Sequence, residues 1–531
     1  MSHDALITDD LAVQVARRRT FAIISHPDAG KSTLTEKLLL YAGAIELAGA
    51  VRGRKTRRHV VSDWMEMEQT RGISLTSTAL EFELEGNRLT LLDTPGHNDF
   101  SEDTYRSLVA ADSVVMVIDA AKGIEEQTRK LFEVCRRHRL PMLTFINKLD
   151  QPGREPLALV DEIERVLGIT AAPMNWPIGR GDRFRGVYDL REQHVLLYEK
   201  FAQGQRPAPM SVADHLDTRL ADLTSAETYR EFREELDLIG AAGSGFDRAA
   251  YLDARQTGVF FGSALTNFGL EPFLQALTEL APAPRPRLAD VGPVDPTAPD
   301  FSGFVFKIQA NMDPRHRDRI AFVRVCSGRL LKDMTVVNAR LGSPVRIARP
   351  YRLFGRDRQT SAEACAGDIV GLVNPGRFAI GDSLYEGRAV CFPPIPRFPA
   401  EHFARLRLEG SRHKQFDEGV RQLEEEGLMQ LLYSKSGGRD PIVGVVGTLQ
   451  FDVIQSRLRT EYNVESRVDP LSYYAARALP DGARPQSLAG LERGVLETAD
   501  RNGRVILLFT TRWVLEYVER ENPGAGLLSA W

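Results

Sequence analysis

The sequence predicts a multidomain α/β protein: a P-loop domain with a parallel-rich sheet, then a β-barrel, then an α+β (ferredoxin-like) C-terminal domain. Three observations predict it. An apolar run leads into Gly30-Lys31-Ser32-Thr33 and a helical stretch. Further apolar runs, separated by helical segments, end in polar residues of the kind that hold a nucleotide. Beyond a Pro-rich stretch the pattern changes to short alternating strands, and then to strand–helix repeats. A chain of 531 residues is too long for one hydrophobic core. The expected units are 1–284, with an insertion around 166–255, then 300–395 and 396–531.

Residues 1–18 are polar with some helical periodicity (Leu6, Leu11, Val13, Val15), which predicts a short helix packed on the first domain. Phe21–Ile24 reads as a buried strand, and Leu34–Leu40 as a helix. Between them, Ser25, His26, Pro27, Asp28, Ala29, Gly30, Lys31 and Ser32 form a phosphate-binding loop. Loop amides and the helix N-terminus present partial positive charge to a phosphate chain. Gly30 allows close backbone approach, Lys31 reaches the β- and γ-phosphates, and Ser32 ligates Mg²⁺. The pattern G-x-x-x-x-G-K-[ST] has Ser25 in place of its first glycine.

The basic stretch from Val51 to His59 stands open between a solvated loop and an RNA contact. Two strands follow, Ala79–Leu84 and Arg88–Leu92, with a turn at Gly86 and Asn87. The second strand ends in Asp93, Thr94, Pro95, Gly96 and His97. Asp93 would hold Mg²⁺ through water, and the Gly96 amide would sense the γ-phosphate. Ser113–Ala120 is nearly all apolar, as in a central parallel strand, and Glu125–Arg137 has helical spacing. A strand from Pro141 then ends in Asn147, Lys148, Leu149 and Asp150. The Asp150 carboxylate can accept from guanine N1–H and the 2-amino group; adenine lacks that pair of donors, so the carboxylate selects guanine.

After Asp150 come more than one hundred residues, against about 30 for one βα unit, hence the expected insertion. It is rich in turns from Asn175 to Tyr188 and helical from Asp214 to Leu238. The strand Val259–Leu265 closes the domain, with the Ser263 and Ala264 amides meeting guanine O6. These signals stand in the order a guanine-nucleotide switch requires, so the first unit is expected to be a P-loop GTPase domain.

A Pro-rich linker runs from Ala281 to Pro299. Strands are expected at Phe301–Gln309, Ile320–Ser327, Thr335–Asn338 and Ile369–Val373, with Arg315, Arg317 and Arg319 in a loop that is either a solvated tip or an RNA contact. The last unit alternates strand Phe403–Leu408, helix Lys414–Leu432, strand Val443–Thr448, helix Phe451–Thr460, strand Arg504–Phe509 and helix Trp513–Glu521. Its Glu424–Glu426 run reads as a solvated helix face.

Composition narrows the class. A net charge of −4 gives no global attraction to nucleic acid, so RNA contacts would need local basic patches. Cys135, Cys326, Cys365 and Cys391 form no C-x-x-C pair and read as buried free thiols of a reducing compartment. No run of about 18 apolar residues and no signal peptide is present, so a cytoplasmic protein without membrane contact is expected.

Taken together, the residues resemble the translational GTPases over nearly the whole length. His26–Lys31 is similar to the P-loop of elongation factor G, where a small residue also occupies the Ser25 position. Arg71-Gly-Ile-Ser74 resembles the first switch, in which the Ser74 hydroxyl would ligate Mg²⁺. Asp93–His97 resembles the second switch; the resemblance places His97 as the residue orienting the attacking water, flanked by the apolar Ile73. Ser62–Glu68, Trp176–Gly179 and Phe304–Arg319 resemble the class II release-factor branch.

The resemblance implies ribosome binding, GTP hydrolysis to GDP completed by ribosomal RNA, and removal of a class I release factor. It also implies three domains with no transfer-RNA-mimicking domain left over, which disfavours a translocase. A monomer off the ribosome is expected. Two alternatives stay open: another ribosomal GTPase, such as an elongation or ribosome-protection factor, and a GTP-regulated binding module without turnover.

Overall fold

The computed structural model describes residues 11–43, 68, 75–198, 210–212, 215–217, 219–243, 245–310, 318–354, 357–434, 440–480 and 482–528. The basic loop 51–59, the switch residues Arg71, Ile73 and Ser74, and Arg315 and Arg317 lie outside these residues.

The strand Arg18–Ser25 is central to the first sheet. It runs parallel to Asn87–Asp93 on one side and to Ser113–Asp119 on the other. Met142–Asn147, Gln256–Phe261 and Thr170–Pro173 continue the parallel order. Among the described strands of this domain, Thr78–Leu84 at the other edge is antiparallel. Ser113–Asp119 and Met142–Asn147 are buried at every position, which is why they read as unbroken apolar runs rather than alternating ones. Parallel order sends the ends of these strands, with Ser25, Asp93, Asp119 and Asn147, to one rim of the sheet. The turn between Thr78–Leu84 and Asn87–Asp93 is made by Glu85 and Gly86, both at positive φ, and Asn87 already pairs with Leu84; the turn lies one residue earlier than expected.

The insertion forms its own antiparallel sheet from Asn175–Ile178, Gly186–Asp189, His194–Leu197 and Met210–Val212. Helix Ala226–Ala242 follows, capped by the Ser225 hydroxyl on the Thr228 amide. Asn175 ties this sheet to the first: its side chain accepts from the Phe261 amide and donates to the Phe261 carbonyl.

Strands Ser302–Ala310 and Arg319–Ser327 lead a barrel-like antiparallel sheet around a core that includes Val305, Ile308, Val323, Val336 and Leu372. Phe354 pairs with Leu80, so this sheet joins the edge of the first. Ionic contacts reinforce the joint. Asp112 takes both Arg287 and Arg324, all three buried or nearly so, and Arg18 pairs with Asp368 at 2.7 Å. A register shift between Val305 and Lys307 accompanies the buried Lys307, which reaches Asp103 at 3.2 Å. The Pro-rich stretch is docked rather than a free linker: Arg285 and Arg287 donate to first-domain carbonyls, including Leu252 and Ala111. Residues 11–16 are helical as expected, but Leu11 and Val15 pack on Cys365 and Ala366 of the barrel-like unit, not on the nucleotide domain.

In the last unit His402–Glu409, Gln430–Ser434, Ile442–Val445 and Glu465–Leu471 make an antiparallel sheet in the order fourth–first–third–second. Helices His413–Glu425 and Leu449–Tyr462 connect them, which is the ferredoxin-like arrangement. Three further strands and the helix Arg512–Glu521 extend the sheet beyond Gln430–Ser434.

The expected helix Lys414–Leu432 is two elements. It ends at Glu425, Gly427 takes a positive φ, and a strand begins at Gln430. Glu424 and Glu426 are not solvated: they are 7% and 9% exposed, and Glu426 pairs with Arg457 and accepts from the Ala310 amide. Arg319, 13% exposed at its side chain, is committed to Glu425 instead of a loop tip. Cys135, Cys326 and Cys365 are buried, whereas Cys391 is exposed.

Candidate nucleotide site

At the rim of the first sheet, a cavity of about 380 Å³ is lined by Ser25, His26, Pro27, Asp28, Gly30, Lys31, Ser32, Thr33, Gly96, His97 and Lys148. Three of the predicted motifs therefore share one wall. Gly30 has φ +93°, and a Cβ there would lie 2.3 Å from Asn147 Nδ2. No larger residue keeps the loop in this position. The helix Lys31–Tyr41 starts immediately after it, with its free amides at the cavity.

Lys31 Nζ lies 2.5 Å from Asp93 Oδ1, and both groups are buried. The second Asp93 oxygen is buried without a hydrogen-bond partner. An orphaned carboxylate oxygen, on a residue whose other oxygen meets the phosphate-loop lysine, fits a Mg²⁺-bound water. Thr94 faces the sheet, its hydroxyl donating to the Ile23 carbonyl at 2.6 Å, and the Pro95 carbonyl accepts from Thr104.

The residues after Met142–Asn147 brace the loop. Asn147 donates to the Ala29 carbonyl and accepts from the Ala264 amide, each at 2.8 Å. Lys148, at φ +70°, bridges the Asp28 carbonyl and Asp119, 2.9 Å away. Leu149 is buried, its amide on the Gly262 carbonyl. Asp150 is half-buried, and its carboxylate has no hydrogen-bonding partner among the described residues. The Ser263 amide donates to the Phe268 carbonyl at 2.9 Å, and the Ala264 amide is taken by Asn147. In this structure each of the two amides expected to meet guanine O6 already has an acceptor.

One further side chain escaped the sequence reading. Asp119 is 4% exposed and holds Lys148. Burial raises its carboxyl, but Lys148 and the Ala121 and Lys122 amides outweigh burial and hold it below the usual carboxylate value. Its position at the end of an apolar parallel strand, the argument used for Asp93, could have found it. His26 is buried, and burial pushes its pKa down despite Glu125 at 3.4 Å, so its imidazole is neutral at pH 7.

Three family descriptions match successive parts of the chain. Elongation factor Tu GTP binding domain covers residues 16–283, Elongation factor G domain 2 covers 300–387, and Class II release factor RF3, C-terminal domain covers 392–519. The relative from Gloeobacter violaceus called peptide chain release factor 3 is 54% identical over 520 residues, 97% of each chain. The chain belongs to the peptide chain release factor 3 family. A second release factor 3, from Cyanothece sp., is 52% identical over 97% of this chain and 95% of its own. A crystal structure from Thermus thermophilus shares the fold with a TM-score of 0.68 at 23% identity, covering 92% of this chain and 72% of that one.

For this release factor 3 family member the cavity lies in a guanine-nucleotide-binding domain. Gly30→Ala should weaken GTP binding about tenfold, since a left-handed backbone costs a side chain about 1–2 kcal/mol before the Asn147 clash is added. Fluorescent-nucleotide titration checks this; wild-type affinity would mean that the loop shifts freely. No described helix is long and apolar enough to cross a membrane.

Proposed function

We propose that this chain is a ribosome-stimulated GTPase of translation termination, which detaches class I release factors after peptide release and is then released itself by hydrolysis. It works in the cytoplasm, as a monomer off the ribosome. The three units of its action are taken as 1–284, 300–395 and 396–531. The observation that carries this reading is the seating of the release-factor C-terminal unit on the helix Ser101–Ala110, which follows the second switch. Arg106 of that helix donates to the Glu426 carbonyl at 3.0 Å, so a change at the γ-phosphate has a direct path into that unit.

Loop amides and Lys31 bind the β- and γ-phosphates, Lys31 exchanging Asp93 for the nucleotide. Ser32, Ser74 and Asp93 would hold Mg²⁺, which when bound neutralises charge on the phosphates. Asp150 reads the guanine edge while Asn147 and Lys148 keep the loop in place. His97 lines the phosphate cavity and orients the attacking water. No arginine of these motifs, Arg71 of the first switch included, is an obvious transition-state finger, so unaided hydrolysis is slow; completion of the site by ribosomal RNA is what the resemblance implies.

The protein with GTP should speed departure of a labelled class I release factor from terminated ribosomes without moving messenger RNA. Codon-scale movement with unchanged release-factor departure would make it an elongation factor. GTP binding with no phosphate release on ribosomes would make it a binding module.

A further inference from the structure

The side chain that touches His97 also touches the C-terminal unit. Asp99 sits in the short turn Asn98–Phe100. Its Oδ1 lies 3.1 Å from His97 Nδ1, and its Oδ2 accepts from the Leu449 amide at 2.7 Å. Leu449 is the first residue of the helix Leu449–Tyr462, whose own capping position, Thr448, supplies no side-chain hydrogen bond. A carboxylate 350 positions away in sequence supplies one instead, where the helix dipole favours negative charge. The contact is tight. A Cβ on Gly447 would lie 2.0 Å from the Asp99 carboxylate carbon, and Leu75, Phe100 and Val453 pack beside it.

We propose that Asp99 is the positioning residue for His97, and that through it the seating of the C-terminal unit sets the rate of GTP hydrolysis. The inference rests on the water-orienting role given to His97 above. The Asp99 amide is also near His97 Nδ1, at 3.3 Å, but one nitrogen cannot accept from that amide and donate to the carboxylate together. The amide contact is the hydrogen bond formed in this structure; in the state that hydrolyses GTP, the stronger charge-assisted contact to Oδ1, 3.1 Å away, takes its place and puts the proton on Nδ1. Nε2 is then the unprotonated nitrogen, the acceptor a water molecule needs. One carboxylate oxygen thus selects the tautomer and the other is fixed by the helix. Displacing the helix frees the carboxylate and, with it, the ring.

The test is single-turnover GTP hydrolysis on saturating ribosomes, with GTP affinity measured alongside, for Asp99→Asn, Gly447→Ala, Leu449→Pro, His97→Ala and the Asp99→Asn/Gly447→Ala pair. Asparagine keeps an acceptor for the Leu449 amide but offers an N–H to Nδ1, which imposes the other tautomer. The added methyl of Gly447→Ala pushes the carboxylate from the far domain. Proline removes the N–H that Asp99 accepts, and because it also removes the Leu449 side chain and disfavours the helical backbone of Thr448, Leu449→Pro tests the seating of this helix end as a whole. Each should slow hydrolysis about tenfold or more with GTP affinity unchanged, and the pair should be no slower than its slower member.

Wild-type hydrolysis in Asp99→Asn, or in both Gly447→Ala and Leu449→Pro, overturns the proposal. Losses that multiply in the pair also overturn it, because independent damage multiplies. Wild-type hydrolysis in His97→Ala would instead remove the reading on which it rests.

Discussion

His97→Ala should lower ribosome-stimulated GTP hydrolysis by about 10²-fold or more, the scale on which one well-placed catalytic group acts. GTP affinity should hardly change. Lys31, the loop amides and Asp150, which bind the nucleotide in this reading, are untouched, and Gly96 approaches the phosphate region through its backbone. The reason for so large an effect lies in phosphoryl transfer itself. Its transition state is loose, so the protein contributes alignment and charge stabilisation rather than covalent chemistry. An imidazole that aligns water is therefore a large part of what the protein can offer. The alanine variant should displace a release factor once and then linger on the ribosome. Single-turnover hydrolysis at saturating ribosomes decides the matter; a wild-type rate would leave His97 as packing on Phe100, whose ring centroid is 6.3 Å away.

Asp150→Asn should exchange guanine for xanthine. The Asp150 carboxylate is half-buried and, among the described residues, uncommitted, so its acceptor capacity is available to a base. Guanine supplies N1–H and a 2-amino group. An amide there faces the 2-amino donor with a donor of its own, while xanthine places an oxygen at that position. A polar mismatch of this kind costs about 1–3 kcal/mol, up to about 10²-fold in affinity. GTP binding should fall by that factor and xanthosine-triphosphate binding should rise. Equal affinities in variant and wild type for both nucleotides would remove Asp150 from base recognition.

Both predictions begin at residues legible in the sequence, and the reason is local. A phosphate loop needs Gly30 because of its own dihedral, and a buried parallel strand must be apolar along its length because both faces are covered. Such constraints act on consecutive residues, so they leave a pattern in consecutive letters. The same holds for the strand–helix alternation of the ferredoxin-like unit, apart from the point where Gly427 cuts the expected helix short.

Charged groups were read less well. Glu424–Glu426 looks like a solvated face in the sequence, and a run of three carboxylates ordinarily is one. Glu426 is buried because Arg457, 31 residues later, and the Ala310 amide, 116 residues earlier, neutralise and satisfy it. Ser263 and Ala264 were expected to offer their amides to the base, and only the folded chain shows Phe268 and Asn147 taking them. The helix of residues 11–16 has the periodicity expected of it, but periodicity names a face and not the surface it meets.

What the sequence by itself determined was the succession of elements, the nucleotide motifs and their order, because dihedral preference and burial of one face are properties of short stretches. What only the tertiary structure decided was which charges meet: Lys31 with Asp93, Lys148 with Asp119, Asp112 with Arg287 and Arg324, and Asp99 between His97 and Leu449. A charge carries no period and no preferred neighbour in sequence. Its partner is chosen by the fold that brings distant segments together and removes the water between them.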